Sequence, residues 1–83
     1  MKVFLIQRTD TNEYALSNGH WGSKSARTFT RLSDLSCHLN HATKYLYPNQ
    51  QYRGVPWNKI NLLEFDLDKK TKAIITMETY MEN

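Results

Sequence analysis

A single cysteine, Cys37, stands among 83 residues, so no internal disulfide can form and no cysteine pair exists to hold a metal ion. Long apolar runs are missing as well. Val3, Phe4, Leu5 and Ile6 are followed by Gln7, Arg8 and Asp10, far short of a signal-peptide core or a membrane span, and the chain is expected to stay in the cytoplasm where it is made. There is no phosphate-cradling glycine loop, no HExxH and no GxSxG. No enzymatic activity, cofactor or metal site is therefore expected. No internal repeat, low-complexity segment or second domain is visible, and the length suits one domain, residues 1–83, with a small core. Without staples, packing alone must hold it.

What is present is ordinary for a folded chain: 40% hydrophobic and 23% charged residues. The net charge of +3 is unevenly spread, with eight Lys/Arg against three Asp/Glu in residues 1–59 and three against five in residues 60–83. A basic first part permits an acidic partner, either nucleic acid or a protein surface, without choosing between them.

The rest of the chain is organised around residues 29–47, FTRLSDLSCHLNHATKYLY, the one long segment with a helical period. Leu32, Leu35, Leu39, Ala42 and Leu46 fall on one stripe at about 100° per residue. Thr30 is the expected N-cap, with Asp34 near the positive end, and Pro48 should stop the helix near Leu46 or Tyr47. The flanking segments alternate with period 2 and predict strands. Residues 2–8 are apolar on both alternating sets and read as a central strand. Small polar residues 9–12 and then residues 13–17 complete a hairpin, and Asn18-Gly19 favours a tight two-residue turn into a short strand at His20, Trp21 and Gly22. Residues 23–28 read as an exposed connection and residues 48–57, with two prolines and a glycine, as a loop. Residues 63–68 alternate strictly, placing Leu63, Phe65 and Leu67 in the core and Glu64, Asp66 and Asp68 in water, with a bulge near Asn61 or Leu62. Residues 72–79 read as a last strand before a short acidic tail. The fold expected is α+β in two layers: an antiparallel sheet of about four to five strands with one amphipathic helix packed on one face, in the order ββ(β)αββ.

Cys37, His38 and His41 crowd one turn and a half of this helix. Measured from the leucine stripe, Cys37 points nearly opposite, His41 about 130° away and His38 about 70° away, so the first two face water and His38 borders the core. Cys37 and His41 are neighbours at i, i+4, where an imidazole can lower a thiol's pKa. The pair lacks a third group to orient it, and ordinary surface residues are the plainer reading. The stronger candidate is a surface made from Lys24, Arg27, Arg31 and Arg53 with Trp21, Tyr52 and Trp57 among them. Cations interleaved with flat rings suit single-stranded nucleic acid, and the same mixture suits the energetic centre of a protein interface. Against that stands the simpler reading in which Trp21 and Trp57 are core residues at the ends of the sheet and the arginines are merely solvated.

The layout also has a likeness. Leu5, Ile6 and Arg8 through Asn12, Glu13 and Tyr14 form a hairpin followed by a glycine-tryptophan turn (Gly19, Trp21). Then come Phe29, Thr30, Leu32, Ser33, Leu35, Leu39 and Asn40, and finally Trp57 with an acidic strand. Over residues 3–68 this resembles small tailed-bacteriophage accessory proteins, a group with no settled activity. Gln7 inside the first strand and the long PNQQYRG stretch depart from the pattern. The resemblance implies a setting, phage infection of a bacterium. Small phage proteins of this kind include inhibitors of host defence, such as anti-CRISPR proteins and restriction inhibitors. The expectation is a non-enzymatic protein in the host cytoplasm that binds a host defence or replication protein and inhibits or redirects it. The alternative is a small nucleic-acid-binding module. A homodimer through an exposed edge strand is a further partner the strand pattern allows.

Overall fold

The computed structural model describes residues 1–43 and 51–82. Strand β1 (Lys2–Arg8) pairs antiparallel with β2 (Tyr14–Ala15) through Gln7 and Tyr14, and β2 pairs with β3 (Trp21–Gly22). On its other side β1 pairs along its whole length with β6 (Ile60–Asp66), which in turn pairs with β7 (Thr71–Thr76). The order β3-β2-β1-β6-β7 makes β1 the central strand of a five-stranded antiparallel sheet, as its doubly apolar pattern predicts.

The first turn closes where polar residues demand it: the Arg8 N–H donates to the Glu13 carbonyl at 2.9 Å, and Asn12 takes a positive φ of 61°. The second turn is longer than Asn18-Gly19 suggests. The Leu16 N–H donates to the His20 carbonyl at 2.9 Å, leaving Ser17, Asn18 and Gly19 in the loop. Only Gly19 takes positive φ, 87°, and the Asn18 side-chain oxygen instead accepts from the His20 N–H at 3.0 Å. This is the three-residue hairpin that a single left-handed position permits.

Residues 27–29 are not a free connection. The Arg27 N–H donates to the Ala15 carbonyl at 2.8 Å, and Phe29 exchanges backbone bonds of 2.8 and 3.0 Å with Phe4. The segment thus takes over the edge of β1 that two-residue β2 leaves unpaired, which satisfies backbone groups that would otherwise be orphaned beside the core. Because Phe29 is held in a strand bridge, the chain needs two more residues to turn into α1 (Leu32–Thr43). Arg31, not Thr30, is accordingly the N-cap, its carbonyl accepting from the Leu35 N–H at 3.2 Å. Leu35 and Leu39 are each 1% exposed, but Leu32 is 57% exposed, so the first stripe position overhangs the sheet instead of entering the core. The Ala42 side chain, and Leu46 with the expected helix end, lie outside the described residues.

Residues 51–57 hold structure where a loop was predicted. β4 (Gln51–Tyr52) and β5 (Val55–Pro56) form a hairpin around Arg53 and Gly54, whose φ values of 51° and 80° are the pair of positive angles a two-residue turn needs. A 3-10 turn (Trp57–Lys59) leads into β6.

In β6 the expected face assignment is reversed. Its register with β1 is unbroken, with no bulge, and sets Leu62 opposite Ile6 and Glu64 opposite Phe4, on the helix side. Ile60 and Leu62 join Phe4, Ile6, Ala15, Phe29, Leu35 and Leu39 in one buried cluster, whereas fully buried Leu63 lies outside it, on the other face. Glu64 is tolerated on the helix side because it sits at the end of the sheet and meets Lys2 at 3.0 Å. Asp66 accepts the Asp68 and Lys69 N–H groups at 3.1 and 3.2 Å and so shapes the β6–β7 turn. Strand β7 ends at Thr76, whose hydroxyl accepts the Thr79 N–H at 3.1 Å and caps a short helix α2 (Met77–Glu82) in place of the expected strand end and tail. Met77, 1% exposed, drops into the core, and Tyr80 packs against it.

Candidate functional site

The β3 end of the sheet gathers the rings. Trp21 and Ala15 are register partners on the helix face, as is Arg8, whose guanidinium lies 5.3 Å from the Trp21 ring centre. Trp21 meets Tyr52 edge to face at 5.8 Å and 82°. Tyr52 meets His38 at 5.8 Å and 80°, with its hydroxyl 2.7 Å from His38 Nε2. His38 lies 5.4 Å from Phe29, and Phe29 carries the Arg27 guanidinium 4.7 Å above its centre. An unbroken line of contacts therefore runs from Arg8 through Trp21, Tyr52, His38 and Phe29 to Arg27. Five separate chain segments supply it, which is why it stays hidden in one-dimensional spacing.

The two end cations differ in what they have left to offer. Arg8 is committed to Asp10 by two bonds of 2.6 and 2.7 Å, and that guanidinium holds the Asp10 carboxyl down at about 2, against 3.8 ordinarily. Arg27 has no carboxylate partner among the described residues, and neither do exposed Lys24 and Arg31 on the same segment. Cation–π contact keeps the Arg27 side chain in place without neutralising it.

Of the predicted contact residues, Lys24, Arg27 and Arg31 thus come together on residues 24–31. Arg53 is turned inward: its Nη1 donates to the Leu16 carbonyl at 2.7 Å and the His20 carbonyl at 3.2 Å, while its own carbonyl accepts from Trp21 Nε1 at 3.2 Å. It staples the β4–β5 turn to the β2–β3 loop. Tyr52 is 5% exposed, and burial raises its hydroxyl pKa above the usual 10; it supports the surface from beneath. Trp21 is half-buried, part of the core edge. The Trp57 side chain lies outside the described residues. Arg8, Phe29 and His38 were absent from the predicted set. Of these only His38 had a signal, its position bordering the stripe.

Beside Arg27 a cleft of about 420 Å3 is lined by Phe29, Thr30, Asp34, Cys37 and His38. Cys37 is exposed, as the stripe geometry predicts, while His38 is directed at Tyr52 and the His41 side chain lies outside the described residues. Among the described residues no three His, Cys, Asp or Glu side chains converge as a metal site would require, and no helix is long and apolar enough to cross a membrane. The acidic residues of β6 and its turn are each engaged, Glu64 by Lys2, Asp66 by backbone amides and Asp68 by the Met1 ammonium. In comparisons with protein-family models, curated proteins and solved structures, nothing matches this chain.

Proposed function

We propose that the chain is a non-enzymatic phage accessory protein that works in the host cytoplasm by binding an acidic patch on a host protein, which it inhibits or redirects. The observation that carries this reading is Arg27, held over the buried Phe29 ring with no carboxylate partner among the described residues, between exposed Lys24 and Arg31. An arginine whose stem and plane are fixed in advance loses little freedom when it meets a carboxylate, and arginine beside an aromatic ring is the composition of interface centres. The sequence resemblance supplies the phage setting. The protein reading is favoured over nucleic acid because Trp21 is covered by Arg8 and Tyr52, and Tyr52 is interior, so neither offers an open ring face for a base.

The test is capture from bacterial host lysate at near-physiological salt, with the wild-type chain and a Lys24→Glu, Arg31→Glu variant side by side. Both positions are exposed, so the variant keeps its fold. One host protein, retained stoichiometrically by the wild type and weakened on the order of tenfold or more in the variant, supports the reading. Nucleic acid co-purifying in its place, with no stoichiometric protein, contradicts it.

A further inference from the structure

The sheet ends differently on its two sides. The β3 edge is two residues long, a length too short to template pairing, whereas β7 presents six residues, Thr71–Thr76, of which only Ile75 is even partly buried. The direction of the β7 backbone groups follows from bonds elsewhere. The Leu67 N–H donates to the Met1 carbonyl, on the β1 side, so by alternation Asp66, Glu64 and Leu62 turn their backbone groups toward β7. The Phe4 N–H, which leaves β1 away from β6 to reach Phe29, gives the same phase. Thr71, Ala73 and Ile75, opposite Asp66, Glu64 and Leu62, are therefore bonded to β6, while Lys72, Ile74 and Thr76 direct their N–H and C=O groups outward.

Side chains at this edge follow a matching order. Leu5, Leu63 and Ile74 form one row across β1, β6 and β7 on the face opposite the one α1 packs against. Leu63 at its middle is fully buried, but Ile74 at its end is 60% exposed. Other large exposed apolar residues lie close by: Leu67 starts the turn into β7, and Leu32 shares a depression with Ile75 on the helix side. The helix α2 follows β7 directly and touches β7, β6 and the 3-10 turn, and its Met77 enters the core on the α1 side.

We propose that β7 is a self-pairing edge, joining antiparallel to β7 of a second copy about a two-fold axis through Ile74. In that register Ile74 faces its own counterpart and exchanges both backbone bonds, and each Thr76 N–H meets the Lys72 carbonyl of the other copy. The apolar row runs on as Leu5, Leu63, Ile74 and the same three residues in reverse. Lys72, the one charged residue of β7, faces Thr76, whereas parallel pairing would set Lys72 against itself. Charge and apolar exposure thus choose a second copy as the occupant, and both copies of α1 end on one face of a continuous sheet. The basic segment of residues 24–31 lies at the other side of each sheet, so the dimer carries two of them outward.

The experiment is sedimentation equilibrium with amide hydrogen exchange, both from low micromolar to near-millimolar protein. A dimer whose Ile74 and Thr76 amides slow with concentration, on the order of tenfold or more, is expected, while the Ala73 and Ile75 amides are slow throughout. Ile74→Pro removes an N–H that turns away from β6 and is unused among the described residues, and proline is accepted on edge strands, so this variant should be monomeric. Ile74→Lys places a charge on the axis and should be monomeric too, which keeps the test valid if the proline variant fails to fold. A monomer at every concentration overturns the proposal. So does a dimer whose Ile74 and Thr76 amides stay fast, which would indicate packing through another surface, or one that survives Ile74→Lys.

Discussion

At the scale of single residues, arginine does three different jobs here, and only its surroundings tell them apart. Arg8 is paired, Arg53 is a staple, and Arg27 is held over a ring with no carboxylate partner among the described residues. The sequence places all three near tyrosine, tryptophan or phenylalanine and cannot rank them, because the carbonyls that capture Arg53 belong to a distant loop, at Leu16 and His20. Two expectations follow at this scale. The Asp10 carboxyl should titrate near 2 by NMR and return toward 3.8 in Arg8→Gln. A carboxylate with a depressed native pKa stabilises the fold above its unfolded value and loses that contribution as pH falls, so the Arg8–Asp10 part of stability should be complete above about pH 4 and vanish toward pH 2. An Asp10 midpoint equal in both proteins would contradict the pairing. Arg53→Ala should cost about 1.5 to 3 kcal/mol in denaturant unfolding, as expected for charged hydrogen bonds lost from two carbonyls. A loss under about 0.5 kcal/mol would mark Arg53 as an ordinary surface residue.

At the scale of elements, what could be read in advance was what local pattern controls. The 3.6-residue period located α1, and the doubly apolar run located the central strand β1. The faces of β6 could not be read this way, because strict alternation from Leu63 to Asp68 says which residues share a side but not which side the helix covers. Register with Phe4 and Ile6 decides that, and it puts the exception, Glu64, on the covered side. The α2 helix was missed because its six residues follow a strand without a break and its signal is one hydroxyl, that of Thr76. Leu39→Ala should cost about 2 to 5 kcal/mol and Leu39→Asp should unfold the chain, whereas Leu32→Ala should stay within about 0.5 kcal/mol. Equal costs for Leu39→Ala and Leu32→Ala would mean that α1 lies rotated from its described position. Gly54→Ala should cost about 1 to 2 kcal/mol, because Gly54 stands at a φ of 80° that an alanine adopts only under strain, although nothing fills the space its methyl would take.

At the scale of the whole molecule, the charge division becomes a spatial one. The basic cluster at residues 24–31 is tied through Arg27 and Phe29 to β2 and to the side of β1 away from β6, whereas β7 is the edge beyond β6. Partner capture and self-pairing therefore draw on different surfaces and can be broken separately. Both depend on a single arrangement, in which α1 covers the Phe4, Ile6 and Leu62 face and the Leu5, Leu63 and Ile74 row lies on the opposite face. A methyl NOE spectrum of the wild-type chain tests that arrangement most directly. Leu62 methyls should show cross-peaks to Leu35 or Leu39, and Leu63 methyls should reach Leu5 and Ile74 instead. Cross-peaks from Leu63 to the α1 leucines, with Leu62 reaching none of them, would contradict the account.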